Sequence, residues 1–182
     1  MSALDAVRRR QSYPQVTDVA PSHEQLVELV EAAASIADHA ALRPWRLIEL
    51  RGDARARLGD AFVVESELHG PDAQKLAEKP LRAPLLIAVV GRHLPSIKVP
   101  AWEQEAVASG IAHTLSLLLH EQGWGVMWRT GGHTRSDAVR RVHELADSEH
   151  LMGWLYVGGI PESAQSESRR QAIDGERFLT AL

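Results

Sequence analysis

Apolar positions recur along this chain at two periods, and the switches between them mark out its elements. Ser22 is followed three residues later by Gln25, the capping-box arrangement that opens a helix. Leu26, Leu29, Val30, Ala33 and Ala37 then repeat at helical spacing. Ala3 to Arg10 predicts a short helix before it, ending in basic residues. From Asp38-His39 to Arg43-Pro44 the pattern breaks, because the residue before a proline disfavours helical backbone. Trp45 to Leu50 predicts a strand, and Gly52-Asp53 restarts a helix carrying Leu58, Ala61 and Phe62. A further helical piece covers Pro71 to Lys79. Leu85 to Gly91 is continuously apolar and rich in β-branched residues, as a central strand buried on both faces should be. Beyond Pro95 and Pro100 comes the longest helix, Ala101 to Gln122, closed by Gly123 in the position of a helix-ending glycine. Its second half is apolar on most sides, which places it in the middle of the molecule. Val126 to Trp128 predicts a short strand, Ser136 caps a helix running through Ala146, and Met152 to Val157 predicts a last strong strand that Gly158-Gly159 turns out. The tail from Ser163 is polar at first and ends Arg177-Phe178-Leu179. No repeat or low-complexity linker is visible. Helices and strands interleave, but several connections are too short or irregular for a βαβ array, so the predicted class is α+β.

Bulk properties narrow the function without naming it. The 182 residues suit one domain spanning 1–182, and 45% of them are apolar, enough for a single core. A formal charge of −4 argues against a nucleic-acid partner held by phosphate neutralisation. There are no cysteines, which removes disulfides, thiolate nucleophiles, iron–sulfur clusters and cysteine zinc sites, and fits a reducing cytoplasm. No apolar segment follows the basic N-terminal residues as a secretory signal would require. The apolar runs Leu115 to Leu119 and Ala83 to Gly91 fall short of a membrane span. A soluble cytoplasmic protein with no membrane partner is expected.

Four constellations invite chemistry, and each has a plainer explanation. Arg8-Arg9-Arg10 followed by Ser12 offers guanidinium forks and a hydroxyl to a phosphate, or simply complements the helix dipole while solvated. Asp38-His39 and Arg43-Pro44-Trp45 gather polar and aromatic groups in a helix–strand joint, where sites and ordinary packing both occur. Trp128-Arg129-Thr130-Gly131-Gly132 joins a strand to a helix. Its glycines allow a backbone to approach a flat ligand, or make an ordinary turn. Nine histidines include none in an H-E-x-x-H run, and no zinc spacing stands out, so no metal is expected. There is no GxGxxG, P-loop or G-x-S-x-G sequence. With neither nucleophile nor metal ligands, an enzyme built on this chain would need a cofactor to carry its chemistry.

The order of these pieces resembles the nitroreductase family. The resemblance rests on Arg10-Gln11-Ser12, Asp38-His39 to Trp45, Arg82-Ala-Pro, Lys98 to Glu105, Gln122-Gly-Trp-Gly125, Trp128-Arg-Thr-Gly131 and Gly153 to Gly158, and covers residue 4 to about residue 161. It implies an α+β fold with a mainly antiparallel, helix-flanked sheet, an intertwined homodimer, and FMN held between the subunits. On matching positions, Arg10 and Ser12 would hold the phosphate and ribityl chain with Arg8 or Arg9 assisting. Ser35 and His39 would approach the flavin from the other subunit. Trp128, Arg129 and Thr130 would line it, with Gly131 allowing close approach. Arg129 or Arg43 would place a cation near the ring, and Arg43 and Trp102 would meet the acceptor, although Trp102 equally suits the core. The family often places a C-terminal basic residue on the phosphate, here Arg169 or Arg170. Gln11 between the arginines and Ser12, Ala41 in the joint and Arg43 before Pro44 depart from the family's pattern. The implied activity is transfer of electrons from NAD(P)H to a nitroaromatic, quinone or similar small acceptor by a ping-pong cycle. The alternative is a flavin-binding dimer without turnover, serving as carrier, store or sensor.

Overall fold

A computed structural model of the chain describes residues 2–164 and 173–182. Its elements are α1 (Ala3–Arg9), α2 (His23–Ala33), β1 (Trp45–Leu50), α3 (Asp53–Val64), α4 (Gly70–Ala77), β2 (Leu85–Arg92), α5 (Ala101–Glu121), β3 (Trp124–Arg129), α6 (Asp137–Val142) and β4 (Glu149–Gly159), with short 3₁₀ turns between some of them. The strands form one four-stranded sheet in the order β1-β2-β4-β3, with every pair antiparallel. The α+β expectation holds.

Burial explains why the sheet sits where it does. Along β2 the side chains alternate between two cores. Leu85, Ile87 and Val89 join Leu26, Leu115 and Leu119 of α2 and α5 on one face. Leu86, Ala88 and Val90 join Leu58, Phe62 and Val139 of α3 and α6 on the other. A strand covered on both sides has no reason to alternate polar with apolar residues, so its sequence reads as an unbroken apolar run. On α5, Ala108, Ile111, Ala112, Leu115 and Leu119 have no exposed surface at all. Each large aliphatic side chain buried this way contributes about 1.5–3 kcal/mol, which fixes α5 against the sheet.

Several boundaries differ from the sequence reading. Helix α2 stops at Ala33 rather than continuing to Ala37, because the chain turns to pack Ile36 against Gly110 of α5. Helix α6 ends at Val142, four residues before Ala146. Leu145 N donates to Arg140 O (3.1 Å) and Glu144 N to Arg141 O (3.1 Å), a Schellman closure with Glu144 in the left-handed position (φ 49°) where glycine is usual. Strand β4 is longer than Met152 to Val157 at both ends. Gly158 and Gly159 do not turn it out. They pair with Gly125 and Trp124 of β3, and Gly159 also exchanges backbone hydrogen bonds with Thr17 (2.8 Å) and Val19 (2.9 Å). β3 likewise extends beyond Val126 to Trp128 at each end.

Candidate functional site at the end of β3

The first helix begins with a capping box, Ser2 with Asp5, and ends on the exposed Arg8 and Arg9. Arg10 caps it, its N–H donating to Ala6 O at 2.9 Å. The chain then crosses the outer edge of β3. Tyr13 N donates to Val126 O (3.0 Å), and the buried Tyr13 ring is stacked near His120. Gln11 Nε2 donates to the Tyr13 hydroxyl (3.0 Å), so the residue that separates the arginines from Ser12 fastens this crossing. Ser12 is exposed, and Arg129 Nη2 reaches Pro14 O at 3.4 Å. One backbone pairing therefore brings the segment that follows the predicted phosphate residues beside β3, with Pro14 next to Arg129.

Against β3 and β4 lies a cleft of about 370 Å³, and Arg8, Arg9, Arg10 and Ser12 are not among the residues that line it. Trp128, Arg129 and Thr130 line it from β3, Trp154 and Tyr156 from β4, and Lys79, Arg82, Phe62 and His133 close it. Its lining carries three permanent cations and no carboxylate, which suits an anionic ligand. The Arg129 guanidinium lies 5.2 Å from the centre of the Tyr156 ring, within cation–π range, and its Nε is buried without a hydrogen-bond partner. Burial pushes the Tyr156 phenol up to about 12 against the opposing pull of Arg129, so it stays protonated at neutral pH. His133 stacks on Phe62 with centroids 4.4 Å apart, and burial followed by Lys79 holds its imidazole below the ordinary range. Trp154 is fixed from behind. Its Nε1 donates to His143 Nε2 (3.0 Å), while His143 Nδ1 lies 2.8 Å from Val139 O. That pairing requires a neutral His143 protonated on Nδ1, in keeping with the burial that lowers its pKa.

Two glycines shape the floor. A bulge in β4 opposite Val89 and Val90 puts Gly153 at φ 137°, and a Cβ there would collide with the Arg129 carbonyl and lie 2.7 Å from Trp128 Nε1. Gly153 thus lets the backbone of 128–130 settle onto β4. Gly131 has φ 129° and open space where a Cβ would be, so the backbone there is bare and can meet a planar group.

The remaining predicted residues gather elsewhere on the protomer. His39 Nδ1 lies 2.9 Å from Glu103 Oε2 near the start of α5, beside Trp102. Trp102 is 68% exposed, which excludes a core role for it within the protomer. Ser35 is exposed and bonds back to Ala32 O. Arg43 is exposed, with its N–H on Asp38 Oδ2 (2.7 Å). None of these four lines the cleft of one protomer. The joint itself is strained, with Ala40, Ala41 and Arg43 all at positive φ, a cost typically accepted at functional positions. Arg169 and Arg170 lie outside the described residues. Lys79, Arg82 and His133 line the cleft but are not among the candidates read from the sequence, because only the fold brings them to β3.

The profile described as "Nitroreductase family" matches residues 7–159. The chain belongs to the nitroreductase family. Among its relatives, "Putative NAD(P)H nitroreductase YdjA" of Escherichia coli K12 is 32% identical over 161 residues, covering 87% of this chain and 88% of that protein. A Haemophilus influenzae protein named "Putative NAD(P)H nitroreductase" is also 32% identical, over the full length of both. Solved nitroreductase structures share the fold. A nitroreductase-like family protein from Bacillus cereus superposes with a TM-score of 0.85 at 20% identity, over all of this chain and 96% of that one. NfnB, described as an FMN- and NADPH-dependent nitroreductase, superposes with a TM-score of 0.79 at 16% identity, over all of this chain and 99% of that one. Among the described residues no helix is long and apolar enough to cross a membrane.

Proposed function

We propose that this nitroreductase-family chain is an FMN-dependent oxidoreductase that takes electrons from NAD(P)H and delivers them to a nitroaromatic, quinone or similar small acceptor. The observation that carries this reading is the cleft at the end of β3, rich in cations and free of carboxylates, next to the bare backbone of Gly131. Those features fit a flat, anionic cofactor, and so does the buried Arg129 Nε that lacks an acceptor.

Arg10 and Ser12 would hold the phosphate, with Arg8 or Arg9 assisting, and Trp128, Arg129 and Thr130 would lie along the ring. Bound FMN would supply the two-electron chemistry that no side chain here provides. The protein's own part is positioning and electrostatics. Arg129 and Arg82 set a positive potential that favours electron-rich species in the cleft, while the neutral Tyr156 and the stacked Phe62–His133 pair give it a firm apolar wall. Donor and acceptor would use one slot in turn, as a ping-pong cycle requires.

A homodimer completes this reading. Ser35, His39, Arg43 and Trp102 would reach a second copy's site. The structure leaves apolar residues for such a contact: Leu4 and Val7 on α1, and Phe178, Leu179 and Leu182 in the tail, each more than half exposed. Purified protein supplied with FMN should oxidise NADH or NADPH faster when a quinone is added, and its mass in solution should be that of two chains. Protein that binds FMN but leaves NAD(P)H unconsumed with every acceptor would be a flavin carrier, store or sensor instead.

A further inference from the structure

Away from the cleft, three elements bring a second set of polar groups together. His93 leaves β2, Glu105 sits in the second turn of α5, and His150 is the second residue of β4. His93 Nε2 lies 3.0 Å from Glu105 Oε1, His150 Nε2 lies 3.9 Å from the same oxygen, and the two imidazole centroids are 4.7 Å apart. All three ligating atoms fall within 4.8 Å of one another. Both ring nitrogens of His150 are buried, and neither has a hydrogen-bond partner. An imidazole whose two nitrogens are both buried and unsatisfied is rare and calls for a group that would complete it.

We propose that His93, Glu105 and His150 form a binding site for one divalent transition-metal ion of the zinc type, with a fourth position open to water. Zinc takes imidazole and carboxylate donors at about 2.0–2.2 Å in a tetrahedron, which spaces neighbouring donor atoms by roughly 3.3–3.6 Å. The observed 3.0 and 3.9 Å straddle that spacing and the two imidazole donors lie within 4.8 Å of each other, so rotations that draw the rings together complete the site. Two imidazoles and one carboxylate select zinc-like ions over calcium or magnesium, which prefer all-oxygen shells.

The site is held before any ion arrives. His93 N donates to Ser148 O (2.8 Å), tying the exit of β2 to the approach of β4. Gln104, buried beside Glu105, accepts from Leu94 N (2.8 Å) and donates to Leu94 O (2.9 Å) and Val99 O (3.0 Å), so the loop after His93 is fastened to α5. The His150 ring rests against Gly91. Burial, then His93, keeps His150 below the ordinary imidazole range, and Arg135 acts in the same direction. A neutral imidazole is the form that ligates. Arg135 also repels a cation, and the Glu105 carboxylate offsets it. His93 and Glu105 remain about half exposed, which leaves a path for the ion. The residues lie on different elements, His93 and Glu105 being 12 apart in the chain, so no short ligand motif announces them.

The test is calorimetric titration of Zn²⁺ into the untagged, FMN-incubated full chain, alongside His93→Ala and Glu105→Gln. Both substitutions are at exposed positions, and unchanged circular dichroism confirms that the variants fold. The expected result is one saturable zinc site per chain, weakened about tenfold or more in each variant, with zinc raising the melting temperature of the parent only. An absence of saturable binding, or equal affinity in the parent and both variants, overturns the proposal. Neither result depends on flavin chemistry.

Discussion

Replacing Glu149 with Gln tests how the sheet is anchored behind both sites. Glu149 opens β4 and is only 7% exposed. Its Oε1 accepts from Arg46 Nε and Arg92 Nε, both at 2.8 Å, and its Oε2 accepts from Arg46 Nη2 at 2.8 Å and Ala146 N at 3.1 Å. The Arg46 hydrogen bonds, supported by Arg92 and the Ala146 N–H, lower its pKa from 4.5 to about 2 against the opposing effect of burial. A depression of that size corresponds to about 3 kcal/mol of stability at neutral pH. Because the folded-state value is depressed, the contribution is complete above the unfolded value near 4.5 and disappears as pH falls towards 2. Arg46 and Arg92 are partly exposed and rehydrate once the carboxylate is gone, which keeps the loss at the low end of the range for a broken buried pair. Glu149→Gln should therefore cost about 2–3 kcal/mol in urea unfolding at pH near 7. The gap from the parent should narrow below pH 4.5 and nearly close by about pH 2. A gap under about 1 kcal/mol at neutral pH, or one that persists unchanged in acid, would refute the reasoning.

Other substitutions probe the cleft directly. Gly153→Ala places a methyl against the Arg129 carbonyl at a positive φ and should destabilise the fold by about 1–3 kcal/mol while weakening FMN retention; an unchanged melting temperature would show that β4 yields there freely. Trp154→Phe leaves the buried His143 Nε2 without its donor and should cost about 1–3 kcal/mol in denaturant unfolding. A midpoint equal to the parent's would show that this hydrogen bond adds nothing net. Arg129→Met removes a cation from the cleft and should raise the FMN dissociation constant by about tenfold, read by flavin fluorescence. Equal affinity would place the cofactor's charge elsewhere.

What the sequence disclosed follows burial. Strand β2 and helix α5 were legible because complete burial leaves runs and stripes of apolar residues with little else to read. The ends of β4 were not. Glu149 is buried only because Arg46 and Arg92 compensate it, and the glycines at the other end sit under the crossing segment at 17–19. The stop of α6 was hidden because Glu144, rather than glycine, takes the left-handed position. At the site, Trp128 to Gly131 stood out as a strand end with aromatic and glycine residues side by side. Lys79 and His133 carry no local signal, and Arg82 stood out only within Arg82-Ala-Pro, not as a cleft residue, since the cleft is assembled from segments far apart in the chain. His39 and Arg43 stood out in the helix–strand joint, their roles and those of Ser35 and Trp102 came from family resemblance, and one protomer does not bring any of the four to the cleft.

The most direct measurement is a visible absorption spectrum of the purified chain, repeated after incubation with FMN and desalting. The account predicts flavin bands retained at about one FMN per chain. A spectrum without flavin bands in either sample would contradict it and leave a nitroreductase fold whose cationic cleft binds something else.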